Sequence, residues 1–97
     1  MAINGLSITV GTSATLLSAT GGFTDQITYN QNGQSLLVQN PSSSVTVYLG
    51  GANVTSSVYG HALAPGTSMT VDLSSGEHLY AAVASGTQLV NVIRKGV

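Results

Sequence analysis

Cysteine is absent from the chain, which excludes a disulfide framework, a thiolate nucleophile and a zinc knuckle, and says nothing about redox compartment. Charge is nearly absent too. Asp25, Asp72, Glu77, Arg94 and Lys95 are the only formally charged residues among 97, or 5%, where an average globular protein carries roughly 25%. Phosphate recognition needs a basic stripe, and two adjacent cations at Arg94-Lys95 do not make one, so nucleic acid is not an expected partner. A polybasic contact with anionic lipid fails for the same reason. Long hydrophobic runs are also missing. The longest covers residues 79–84, far short of the ~18 that a membrane span requires. Met1-Ala2-Ile3-Asn4-Gly5 has no cationic n-region, so the expectation is a soluble protein made in a cytoplasm.

What is present is stiff, apolar and neutral. Hydrophobic residues make up 42% of the chain, enough for one core, and a single domain over residues 1–97 is expected. Val, Ile and Thr supply more than a quarter of the residues, a β-favouring bias. Glu and Lys, which usually fill exposed helix faces, are almost missing, and no window holds a 3.6-residue stripe. Turn signals recur about every ten residues, the spacing of an all-β sandwich or barrel. They include Asn32-Gly33, Asn40-Pro41, Gly50-Gly51, Pro65-Gly66 and Ser85-Gly86. Between such signals, strands are predicted at residues 6–10, 14–18, 26–30, 35–39, 44–49, 54–59, 68–73, 78–84 and 87–93.

Local detail sharpens this reading. Val45, Val47 and Leu49 alternate with Ser44, Thr46 and Tyr48, and Met69, Val71 and Leu73 alternate with Ser68, Thr70 and Asp72. Such strands belong to antiparallel sheets with one wet face. Asn32-Gly33 predicts a hairpin joining Ile27-Tyr29 to Leu36-Val38, Gly50-Gly51 a tight strand reversal, and Pro65-Gly66 the centre of a type II turn. Residues 78–84 are apolar on both faces. Leu79, Ala81 and Val83 occupy one, while Tyr80, Ala82 and Ala84 follow His78 on the other. Such a strand is central in a layered core or lies under a subunit contact, unless its alanines simply sit at the surface.

Signs of catalysis are weak. The nucleophile elbow G-x-S-x-G is missing, since neither residues 11–15 nor 66–70 carry the second glycine. Asp72 and Glu77 flank the Ser74-Ser75-Gly76 turn and read as solvated turn residues rather than a glycosidase pair. Glu77 and His78 are adjacent and point to opposite faces of a strand, and His61 reads as a surface residue, so neither a metal nor a cofactor is expected. The sequon Asn53-Val54-Thr55 matters only in a eukaryotic secretory pathway, and proline disqualifies Asn40-Pro41-Ser42. Tyr29, Tyr48, Tyr59 and Tyr80 are either a sugar-stacking or protein-binding platform or ordinary sheet residues. Tyr48, opposite its strand's apolar face, joins Tyr80, Ala82 and Ala84 as the candidate interface set.

Leu37-Val38-Gln39-Asn40-Pro41 and Val45-Thr46-Val47-Tyr48-Leu49-Gly50-Gly51-Ala52-Asn53-Val54-Thr55-Ser56-Ser57 resemble small virion-associated proteins of tailed bacteriophages. Leu63-Ala64-Pro65-Gly66 and Leu79-Tyr80-Ala81 continue the likeness, which spans residues 36–93. It rests on turn and strand patterns, and similar modules occur in tail, fibre and baseplate proteins. The resemblance implies a non-enzymatic structural protein with an antiparallel, jelly-roll-like β-sandwich fold of about eight strands. It implies a decoration protein on the capsid exterior, a major capsid protein as partner, and a homotrimer. The runner-up is a tail or fibre adhesin module for host-surface carbohydrate. A cell-wall hydrolase comes third and lacks its motifs.

Overall fold

The computed structural model describes residues 3–18, 34–73 and 77–95. Eight strands run β1 (Ile3–Val10), β2 (Thr15–Leu16), β3 (Gln34–Gln39), β4 (Val47–Gly50), β5 (His61–Leu63), β6 (Ser68–Leu73), β7 (Tyr80–Ala82) and β8 (Gln88–Lys95). They form two antiparallel four-stranded sheets, β1-β8-β3-β6 and β2-β7-β4-β5. Four of the pairings are nested: β1 with β8, β2 with β7, β3 with β6, β4 with β5. That is the pattern of one long ribbon doubled back between β4 and β5. Rolling the ribbon adds the two remaining pairings, β3 with β8 and β4 with β7. The product is a jelly roll, one of the ways antiparallel chains limit exposed sheet edges.

Alternation decides which residues enter the core. Val10, Leu36, Val38, Val90 and Val92 point inward from the first sheet, and Leu17, Val47, Leu49, Leu63 and Ala81 from the second, in one buried cluster. Each such Val or Leu contributes about 1.5–3 kcal/mol relative to exposure. Met69, Val71 and Leu73 pack on the cluster but stay half-buried, because β6 is an edge strand with a neighbour on one side only. In β7, Ala81 faces the core while Ala82 is also fully buried on the opposite face. The apolar character of both faces thus reflects a central strand, between β2 and β4, covered on both sides within one chain.

At one end, Arg94 of β8 reaches across the sandwich and its Nε donates to the Leu17 carbonyl at 2.9 Å. Burial holds this guanidinium below its ordinary pKa by desolvating its charge. Beside it, the buried Ser18 Oγ lies 2.9 Å from His78 Nδ1 and accepts the Leu79 N–H at 3.2 Å.

Three local expectations are corrected. Residues 54–59 form no strand but belong to the loop joining β4 to β5, residues 51–60. Thr55 Oγ1 accepts the Ser57 and Val58 N–H groups, and Thr55 N donates to the Val58 carbonyl, so a local turn takes the groups a ladder would use. Hence Gly50-Gly51 is no tight reversal. Gly50 ends β4, Gly51 accepts from Val54 N, and Gly60 N closes the loop on the Leu49 carbonyl at 2.8 Å. Space at Gly50 is tight: a Cβ there would meet Val54 Cγ2 at 3.2 Å. The partner strand β5 is His61–Leu63, three residues without a strong strand signal. Finally, both edges of β3 are occupied, by β6 and β8, so Leu36-Val38 has no free edge for a hairpin across Asn32-Gly33. Asn32, Gly33 and residues 26–30 themselves lie outside the described residues.

Ala64–Thr67 is a type II turn, with Gly66 at φ +74° and Thr67 N donating to the Ala64 carbonyl at 3.2 Å. A Cβ on Gly66 would meet nothing within 4 Å, so any cost of substitution is that of backbone strain alone. Gly66→Val should lower stability by at least about 1 kcal/mol. Thermal melting of the two proteins tests this; equal midpoints would contradict it.

Candidate functional site

The two outer faces of the sandwich and the loops at its ends are where a partner can reach this chain. On the first sheet the outward row of β8 reads Leu89, Asn91, Ile93, all on a central strand. Asn91 sits in the middle of a hydrogen-bonded row across three strands: Ser7 Oγ donates to its Oδ1 at 2.8 Å, and its Nδ2 donates to Gln39 Oε1 at 3.0 Å. This row uses polar capacity sideways, within the face. Next to it Ile93 stands directly opposite Leu37 on β3, and the two side chains are 40% and 39% exposed. On its other side Ile93 faces Gly5, whose missing side chain leaves a notch. The notch belongs to an open concavity of about 390 Å³ between Gly5, Ser7, Leu37, Gln39, Asn91 and Ile93. Among the described side chains, Asp72 alone brings formal charge to this face, and Ser35 Oγ donates to it at 2.6 Å. The result is a charge-poor surface with an apolar pair beside a fixed amide row.

The second sheet carries the residues singled out as an interface. Tyr48 pairs with Ala82, and Gly50 with Tyr80, so both tyrosines lie on the outer face. Ala84, just past β7, is exposed and shares a groove with Tyr48. Tyr48 and Tyr80 are half-buried. Ala82 lies on this face but is wholly buried, so it offers no surface to a partner and only supports its neighbours. Tyr59 adds what the strand assignment of residues 54–59 had hidden. Its ring packs on Tyr48 with centroids 4.7 Å apart and a 46° tilt, and it is 48% exposed beside the exposed Val58.

The loops that hold these faces meet at Asn40. This residue is fully buried, and each of its polar atoms makes at least one hydrogen bond. Its Nδ2 donates to the carbonyls of Val45 at 2.8 Å and Leu63 at 3.0 Å, and its Oδ1 accepts from Ser42 N at 3.2 Å. Its backbone N–H donates to the Thr67 carbonyl, and its own carbonyl accepts from Gly66 N, both at 2.9 Å. Asn40 therefore joins the segment leading into β4, the end of β5 and the type II turn. Ser42 Oγ extends the junction by accepting from Ser44 N and Val45 N. An Asn before a proline was the only sign in the sequence, and it marks a turn equally well.

His61, at the start of β5, and Asp72 and Glu77 are exposed, while His78 is half-buried. Among the described residues, no group of three or more His, Asp or Glu is placed to hold a metal ion, and no helix is long and apolar enough to cross a membrane. No protein-family model matches the chain, and no curated protein matches its sequence.

Proposed function

We propose that this chain is a structural protein of a tailed-phage particle, a decoration protein that binds the outside of the head and reinforces contacts between major capsid subunits. The observation that carries the reading is the outer face of the first sheet, where Leu37 and Ile93 stand exposed side by side on a surface almost free of charge. Interface cores are depleted in charge in the same way. The sandwich buries its core between its two sheets within one chain, so this outer face is spare: the core does not need it. The likeness of residues 36–93 to virion-associated proteins suggests a phage particle and a trimer as the form that docks, and the location on the head is the reading to be tested.

The mechanism is mass action. A ligand that binds the assembled lattice and not its separated subunits shifts the equilibrium toward assembly. Its affinity comes from apolar burial, fit and neutral hydrogen bonds, none of which is screened by salt. Exposed ion pairs are screened, as the Debye length falls from about 10 Å at 0.1 M to about 3 Å at 1 M. Binding to heads assembled without this protein should therefore weaken less than about tenfold over that range, or roughly 1.4 kcal/mol. A titration of purified protein onto such heads at both salt concentrations tests the reading. A hundredfold loss would mean that charged groups dominate the contact, and affinity from a neutral interface would be contradicted.

A further inference from the structure

The outer face of the second sheet holds a groove of about 230 Å³, bounded by the segment leading into β4 and by the residues just after β7. Ser44, Thr46, Tyr48, Ala84 and Ser85 line it, and none of them carries charge. The hydroxyls of Ser44, Thr46 and Ser85 make no hydrogen bond among the described residues, so each has a donor and acceptor capacity open to a ligand. Tyr48 forms one wall, and Tyr59, packed on it, extends the aromatic surface into solvent.

We propose that this groove is a subsite for one ring of a neutral saccharide. A pyranose has an apolar C–H face and a hydroxylated edge. The first fits an aromatic wall, and the second fits three hydroxyls that both donate and accept. An anionic ligand would find no cation in the lining, and a purely apolar one would leave the hydroxyls without partners. The volume lies below the ~300 Å³ at which drug-sized ligands begin, which suits one ring rather than an oligosaccharide. The proposal stands on the groove alone and is independent of the capsid reading.

The test is a nuclear magnetic resonance titration of the intact protein with the methyl glycosides of glucose, galactose, mannose and N-acetylglucosamine. At least one should give saturable shifts at residues 44–48, 59 and 84–85. Tyr48→Ala should weaken that binding by about tenfold, whereas Tyr48→Phe should leave it within about twofold, since the ring and not its hydroxyl makes the contact. Thr46→Val, which removes a hydroxyl without changing the shape, should weaken it about threefold or more. Absence of saturable shifts with all four sugars would overturn the subsite. So would binding indifferent to both Tyr48→Ala and Thr46→Val. Shifts of the same residues with protein concentration alone would also overturn it, because a second copy would then occupy the groove.

Discussion

Asn40→Asp should be the most damaging single-atom exchange in the described part of this protein. The side chain keeps its shape, but an oxygen replaces the nitrogen that donates to the Val45 and Leu63 carbonyls at 2.8 and 3.0 Å. Two favourable contacts become repulsive, and a carboxylate lies in a site with no exposure at all. Asn40→Ala, which only leaves those carbonyls unpaired and a small void, should cost about 3 kcal/mol. Asn40→Asp should cost more, up to about 5 kcal/mol, because the charge is buried as well. A domain this size is stable by about 5–15 kcal/mol in all, and each kcal/mol moves its melting point by about 4–8 °C. The alanine protein should then melt about 12–24 °C below the parent.

The aspartate variant also has a pH signature. Burial and facing carbonyls raise the folded-state pKa above the unfolded value of about 3.9, so the folded state holds its proton more tightly. Its stability should therefore be greatest below that unfolded value and fall as pH rises through the raised one. Neither the parent nor the alanine protein has this group. Thermal melts from acid to neutral pH measure all three, and an aspartate protein within about 1 kcal/mol of the parent would contradict the role given to Asn40.

The second large effect concerns the docking face. Ile93→Asp and Ile93→Lys each place one charge in the middle of a contact proposed to be neutral. Each should weaken binding to undecorated heads by a hundredfold or more, about 2.7 kcal/mol, the scale of a central interface residue. Folding should change far less, by under about 1 kcal/mol, because the side chain is already 40% exposed. Both signs are required. If only one of them interfered, the partner's own field would explain the result, and the apolar pair with Leu37 would not. A charge of either sign that leaves binding intact would place the contact elsewhere on the molecule.

The fold class was legible because alternation is a local property. Val47 and Leu49, or Met69, Val71 and Leu73, announce a one-sided strand whatever the rest of the chain does. Pairing is not local. Asn32-Gly33 is a strong turn signal, yet nothing in the sequence reveals that β6 and β8 take both edges of β3. Residues 54–59 carry strand-like composition, and only the short reach of Thr55 Oγ1 to two backbone N–H groups turns them aside. Conversely His61–Leu63 becomes a strand because β4 has an open edge beside it, not because His and Ala favour extension.

Site residues divide along the same line. Tyr48, Tyr80 and Ala84 reach one face because strand parity can be counted, and Ala82 fails as a contact residue because parity says nothing about what lies on top. Leu36-Leu37-Val38 reads as an apolar triplet. Which member faces out, and that it meets Ile93 there, depends on the register with β8. Asn40 was the least legible of all, since its three side-chain partners span residues 42–63 and converge only in the folded chain.

Electron microscopy of the phage particle, with and without this protein, tests the central claim most directly. The account predicts extra density on the outside of the head when the protein is present. The jelly roll should fit it with Leu37 and Ile93 toward the major capsid protein and Tyr48 and Tyr59 outward. Density found on the tail or its fibres would support the adhesin reading instead. That result, or heads identical with and without the protein, would contradict the account.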